Sequence, residues 1–414
     1  MKTAEIIATG NELVQGDVVN TNAAHIAGEL TRLGVTVPYH TTVGDEVAAI
    51  GSAVERALER ADFIVVTGGL GPTHDDLTRD AVALAVGRRL VKDEAALAEI
   101  EEHFRCRDTK MSALNVRQAM IPEGSDIIPN KTGTAPGFCL AHKNTRIFCL
   151  PGVPGEMKRM LEDSVLPRLR EAIDTGTIWL CRHVHVFGLS EALVSEKIAD
   201  MMMPESNPCV GTMVHDGIIT LRMTTESQEQ GRAELMQEKG EAEIRTLLGK
   251  AVYGTDDDTL ESVVAALFKK HNKTIATAES CTGGLVANYL TDVPGMSQLL
   301  LEGMVTYTLE SKSVFLNIPR ERIQESGTVN AEIAGMMAQA IREKTGADIG
   351  LSVTGVAGPT SQHPGEPVGL VYVAIATPDG VEHKEFHLKG TRKWIKLLAA
   401  RHALNTLRLM LMSL

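Results

Sequence analysis

The stretch TIATAESCTGGLVANYL, residues 274–290, places Ser280 and Cys281 beside Thr282, Gly283 and Gly284, where an apolar run gives way to helical periodicity. A strand handing over to a helix puts these side chains at a helix N-terminus. Such a terminus carries roughly half a positive charge and several N–H groups without intrahelical partners. An alcohol there has three uses. It can cap the helix, the ordinary role of a lone serine or threonine at that position. It can line an anion site, because the glycines let backbone approach a phosphate. It can also act as a nucleophile beside an oxyanion hole. Two later segments favour chemistry over capping alone. GMVTYTLESKSVFLNI, 303–318, reads as a strand with a polar end and then a helix carrying Lys312. DIGLSVTGVAGPTSQHPGEPVGLVYVAIA, 348–376, reads as two apolar strands joined by a long Gly/Pro loop, and loops of that length are commonly functional or disordered. Three strand ends in one parallel sheet would converge on one pocket.

A second set of glycine turns lies near the N-terminus. ATGNELVQGDVVNTNAAHIA and VVTGGLGPTHDDLTRDAV share the order strand, glycine turn, acidic residues, helix, and KTGTAPGF and LPGVPGEMKRM add two more loops. The pattern gathers backbone amides with Glu12, Asp75, Asp76 and Glu156 around one cleft. Amides suit phosphates and carboxylates suit a divalent cation such as Mg²⁺. The plainer account is that Asp75 and Asp76 cap the helix beginning DLTRDAV. His183 and His185, two apart on a strand, share a face but lack an evident third metal ligand, and Met201–Met203 reads as helix-end packing.

The elements that position these residues fall into three parts. From 1 to about 170, strands and helices alternate as expected of a parallel, three-layer α/β sheet. From 171 to 254 the rhythm changes to a small α+β unit, with a hairpin turning at Asp216-Gly217 and a charged helix. TDDDTLESVVAALFKKH then reads as a solvated acidic linker followed by a capping box of Asp258 and Glu261. Residues 258–414 return to α/β alternation. At 414 residues the chain exceeds one ordinary core, which agrees with this division.

Bulk composition narrows the function. The formal net charge is −12 and aromatics make up 4%, whereas nucleic-acid binding calls for a basic surface and often stacking rings. No strong nucleic-acid binding is expected, and small nucleotide ligands are the better match. No apolar run approaches the roughly 20 residues that span a bilayer, and no signal peptide is read. Six scattered cysteines without a C-x-x-C pair suggest reduced thiols and a cytoplasmic location.

The motifs TAESCTGG, TYTLESK and TGVAGP, in that order and spacing, resemble the C-terminal domain of the competence/damage-inducible CinA family, which is homologous to nicotinamide-nucleotide amidases. The resemblance covers 258–414. It implies hydrolysis of nicotinamide mononucleotide to nicotinate mononucleotide and ammonia without a cofactor. It makes Ser280 the nucleophile and Lys312 its general base, with Tyr307 beside them. Glu279, Cys281, Thr282, Gly283, Gly284, Thr354, Gly355 and Ala357 would line the substrate site, with loop amides available to an oxyanion. Arg392, at a strand-to-helix junction, is either a phosphate ligand or an ordinary exposed cation. For such a base the lysine must fall from near 10.4 to about 7, which costs about 4 kcal/mol; the helix N-terminus and a pyridinium would both push that way. Cys281 is the rival nucleophile. With no histidine in these motifs, a Ser–His–Asp triad is disfavoured.

GNEL, NTNAAHIA, TGGLGPTHDDLT and PGVPGEM resemble the molybdopterin-binding fold in its CinA version, over 1 to about 170. That resemblance implies a metal-dependent ADP-ribose pyrophosphatase giving AMP and ribose 5-phosphate. Asn11, Gly68, Gly69, Thr134 and Gly152 would form the nucleotide site, and Glu12, Asp75 and Asp76 the metal site. The alternatives are an adenylyltransferase of molybdenum-cofactor synthesis, and a competence-associated protein whose N-terminal site is inactive. A homodimer is expected from the family.

Overall fold

The computed structural model describes residues 2–173, 176–361 and 366–414. The chain forms two compact units, Met1–Leu180 with Glu226–Glu234, and Cys181–Thr225 with Leu235–Leu414.

In the first unit the apolar runs at Thr3–Thr9 and Phe63–Thr67 become central strands because both faces of the sheet are covered. The sheet order is 36–43, 3–9, 63–67, 145–150, 137–142, 126–128. The first four strands run parallel and the last two pairings are antiparallel. One face packs on helix Thr21–Arg32 and the segment after Pro154, through Ile26, Leu30, Met157 and Leu161. The other packs on helices Val47–Leu58 and Thr78–Ala85, through Ile50, Val54 and Val82. This is the expected three-layer α/β/α arrangement, with its glycine loops at the C-terminal ends of strands 3–9, 63–67 and 145–150.

In the middle region a four-stranded sheet, in the order 209–215, 218–227, 178–186, 252–255, is accompanied by helix Gln230–Leu248. The hairpin turns at Asp216 and Gly217, both at positive φ, which matches the right-handed twist of its strands.

The C-terminal sheet has the order 300–305, 275–279, 349–355, 370–377, 380–387. The first three strands are parallel, so the predicted convergence of their ends holds. The last two pair antiparallel, and the sheet is mixed rather than wholly parallel. Helices Leu260–His271, Leu285–Thr291 and Arg392–Leu411 build the core with one face, and Ala331–Thr345 covers the other.

Two local expectations are corrected. The first of these helices is capped by Thr259 reciprocally with Ser262, one residue beyond the expected Asp258 and Glu261. Asp258 instead accepts the Thr255 amide at 2.8 Å. The acidic linker is also not simply solvated: Asp256 accepts the His183 amide through its carboxylate and a His185 ring nitrogen through its carbonyl. His185 is therefore structural, and its other ring nitrogen lies 3.0 Å from the Thr220 hydroxyl.

Candidate active site

The strand 275–279 ends in Glu279, whose side chain is 1% exposed. Its carboxylate turns away from the pocket and accepts the amides of Gly284, Val286 and Ala287 at 2.8–3.0 Å. The positive end of helix 285–291 is thus satisfied by a buried anion. Two expectations change with this. Glu279 caps the helix and does not line the cavity, and the lysine's pKa is lowered by its burial. Gly283 and Gly284 allow the turn, with φ of 64° and 92°.

Ser280 follows directly, its amide bound to the Val353 carbonyl and its own carbonyl taken by Gly283. Helix Leu309–Leu316 begins at Thr308, capped reciprocally with Ser311, and its first turns carry Lys312 back under the sheet edge. Lys312 Nζ lies 3.0 Å from Ser280 Oγ and 2.9 Å from the Thr306 carbonyl. The lysine is 1% exposed, and no carboxylate pairs with it among the described residues. Burial alone pulls its pKa down to about 8, because desolvation disfavours the ammonium. The neighbouring Cys281 is pushed the other way, up to about 12, again by burial. A thiol held protonated needs a base as an alcohol does, and the hydrogen bond of Lys312 is to Ser280 Oγ, which favours the serine over Cys281.

Ser280 and Cys281 open on a cavity of about 430 Å³, also lined by Tyr307, Gly355, Ala357 and Arg392, with Glu366 among the other wall residues; Lys312 lies behind Ser280, outside the lining. Arg392, the first residue of its helix, donates to the Gly358 carbonyl at 2.6 Å and to the Tyr307 hydroxyl at 2.5 Å. Tyr307 therefore serves as a wall held by Arg392, and its recorded partner is not the Ser280–Lys312 pair. Thr282 and Thr354 are buried and do not line the cavity. Thr354 donates to the Thr328 carbonyl, while the Thr282 hydroxyl has no partner among the described residues. Thr306 and Glu366 were not signalled in the sequence; Thr306 acts through its carbonyl, which no residue type announces.

In the first unit a cavity of about 410 Å³ gathers Glu12, Gly68, Gly69, Asp75, Asp76, Thr134, Gly152 and Glu156, as the loop pattern suggested. Asn11 is not in its lining; it exchanges hydrogen bonds with Asp45, 2.9 Å through its own amide and 3.2 Å through its side chain. Asp76 does not cap the following helix. Its carboxylate accepts the Gly71 and Thr73 amides and the Thr73 hydroxyl, which folds the acidic loop. Buried Arg79 fixes the same loop through the Leu70 and Gly71 carbonyls. A Cβ on Gly68 would meet the Thr9 carbonyl oxygen at 2.4 Å, so only glycine lets the two loops interlock. Asp45, missed in the sequence, has its carboxyl raised above the usual range, first by burial and then by repulsion from Glu12, Asp75 and Asp76. Oxygen donors of this kind suit Mg²⁺. Among the described residues, however, no three acidic, histidine or cysteine side chains come together as a ligand set, for Glu12, Asp75 and Asp76 or elsewhere.

Comparison with known proteins agrees with both halves. Residues 257–411 match the CinA C-terminal domain, 5–171 a probable molybdopterin binding domain, and 181–254 the damage-inducible protein CinA KH domain. A competence-damage inducible protein of Acetivibrio thermocellus is 41% identical over 413 residues, 99% of each chain. The chain belongs to the CinA family. A CinA-like protein of Dictyoglomus thermophilum is also 41% identical, over 99% of each chain. A crystal structure of CinA from Thermoplasma acidophilum is 38% identical, covers 41% of this chain and 98% of that one, and gives a TM-score of 0.38. The small middle unit is therefore a KH-type domain within a CinA-family chain.

Proposed function

We propose that the C-terminal domain hydrolyses the carboxamide of nicotinamide mononucleotide to nicotinate mononucleotide and ammonia. One observation carries this reading: the 3.0 Å contact of Ser280 Oγ with a buried lysine whose pKa is lowered to about 8. About a tenth of such a lysine is neutral at pH 7, compared with a few parts in ten thousand for a free one. The neutral amine takes the serine proton as Oγ bonds to the carboxamide carbon. The resulting oxyanion is met by backbone amides of the loop carrying Gly355 and Ala357, a donor being worth on the order of 3 kcal/mol. The Lys312 ammonium then passes its proton to the leaving nitrogen, and ammonia departs. Water, deprotonated by the same amine, cleaves the ester and restores Ser280. The Thr306 carbonyl keeps Nζ aimed at Oγ throughout. The choice of a pyridine nucleotide rests on the family resemblance, and Arg392 in the cavity wall is consistent with a phosphate-bearing substrate.

Full-length protein incubated with nicotinamide mononucleotide is expected to release ammonia and nicotinate mononucleotide in equal amounts. Release of neither contradicts the assignment. A DNA-binding role is disfavoured by the net charge of −12, and filter retention of DNA at physiological salt is expected to be negligible.

For the first unit the supporting observation is the cavity walled by glycine loops, whose backbone amides suit the diphosphate of a ligand such as ADP-ribose. A divalent cation would supply charge neutralisation and an activated water there, but among the described residues no three acidic side chains come together to hold one. AMP formation from ADP-ribose that depends on added Mg²⁺ is the test. Pterin binding without cleavage would favour the molybdopterin alternative.

A further inference from the structure

The amidase cavity holds a second charged side chain that the reaction does not use. Glu366 is 8% exposed and lines the same cavity as Ser280 and Arg392. Its Oε1 accepts the Val329 amide at 3.3 Å and rests over Gly327, where a Cβ would stand 2.4 Å away. Among the described residues no lysine, arginine or histidine pairs with it. Anchoring the Val329 amide needs only a neutral acceptor, which a glutamine would supply without placing a charge in a desolvated wall. A buried carboxylate without a cation is costly, and such groups call for a partner. A cation to pair with it, lacking among the described residues, is available from a ligand entering the cavity.

We propose that Glu366 is a specificity-determining residue that selects substrates with a cationic ring. The cavity wall then presents one anion, Glu366, and one cation, Arg392, to a ligand carrying both signs, as a pyridinium nucleotide does. A neutral ring of the same size leaves the carboxylate desolvated and unpaired, so discrimination comes from the cost imposed on the wrong ligand as well as from attraction to the right one. This inference rests on the amidase reading for its choice of ligand.

The experiment is calorimetric titration of the full chain carrying Ser280→Ala, with and without Glu366→Gln, so that binding is read without turnover. The probes are nicotinamide mononucleotide and its reduced, uncharged dihydropyridine form. With Glu366 present the cationic nucleotide is expected to bind at least about tenfold more tightly than the reduced one, a difference of about 1.4 kcal/mol. Glu366→Gln is expected to remove most of that preference by weakening only the cationic ligand. Equal affinities with Glu366 present, an unchanged preference in the glutamine variant, or no binding of either probe overturns the proposal. If Glu366→Gln does not fold, Glu366→Met in the same Ser280→Ala background takes its place and is expected to lose the same preference; equal affinities of the two probes for Ser280→Ala alone already overturn the proposal. Failure of the amidase reading shows separately, as absence of ammonia from the wild-type protein.

Discussion

Lys312 Nζ sits 3.0 Å from Ser280 Oγ and, among the described residues, forms no ion pair with a carboxylate, while the buried acid of the same motif, Glu279, is engaged with the amides of the next helix. The two charges of the motif are kept apart. The lysine is free to lose its proton because Glu279 does not hold it as an ammonium.

Activity should follow the neutral form of that lysine. Its pKa is lowered to about 8, so kcat/KM is expected to rise about tenfold per pH unit below 8 and to level off above it. A pH–rate profile flat from 6 to 9 contradicts the role.

The same burial should cost stability. Between pH 8 and 10.5 the unfolded chain binds a proton at this site that the folded chain does not, so stability rises with pH across that window. Below pH 8 the full penalty applies, roughly 3 kcal/mol. Lys312→Met is therefore expected to abolish amidase activity and to raise the denaturation midpoint at pH 7. A lowered midpoint contradicts this account of the site.

Cys281→Ala should retain amidase activity within a few-fold, and the native thiol should resist alkylation at pH 7, because burial holds it protonated with a pKa of about 12. Rapid labelling of Cys281 with loss of activity would return the nucleophile to the thiol.

Glu279→Gln removes the charge that caps helix 285–291 through three amides. A stability loss of about 2 kcal/mol is expected, with KM for the nucleotide unchanged. A large rise in KM without a change in stability would mark Glu279 as a substrate ligand instead.

Much of this was legible in the sequence, and the rest shows where a sequence stops speaking. The glycine turns at 68–69 and 283–284 announce themselves, because positive φ restricts the residue type. The apolar runs at 63–67 and 275–279 fix the central strands. Ser280 and Lys312 stand 32 residues apart, and only the parallel pairing of strands 275–279 and 300–305 brings them together. The direction of Glu279 was not readable, since a strand-end carboxylate points to a ligand or to a helix with equal ease. Thr306 acts through its backbone, Glu366 lies in a Gly/Pro loop without periodicity, and Asp45 joins its acidic cleft from a different strand end. The cap at Thr259 rather than Asp258 is a one-residue shift between two competent capping side chains.

The central claim is best tested by ammonia release from nicotinamide mononucleotide by Ser280→Ala and wild-type proteins matched in fold by circular dichroism. Removing the attacking oxygen is predicted to lower kcat by about a thousandfold or more. A variant releasing ammonia at close to the wild-type rate would contradict the Ser280–Lys312 mechanism.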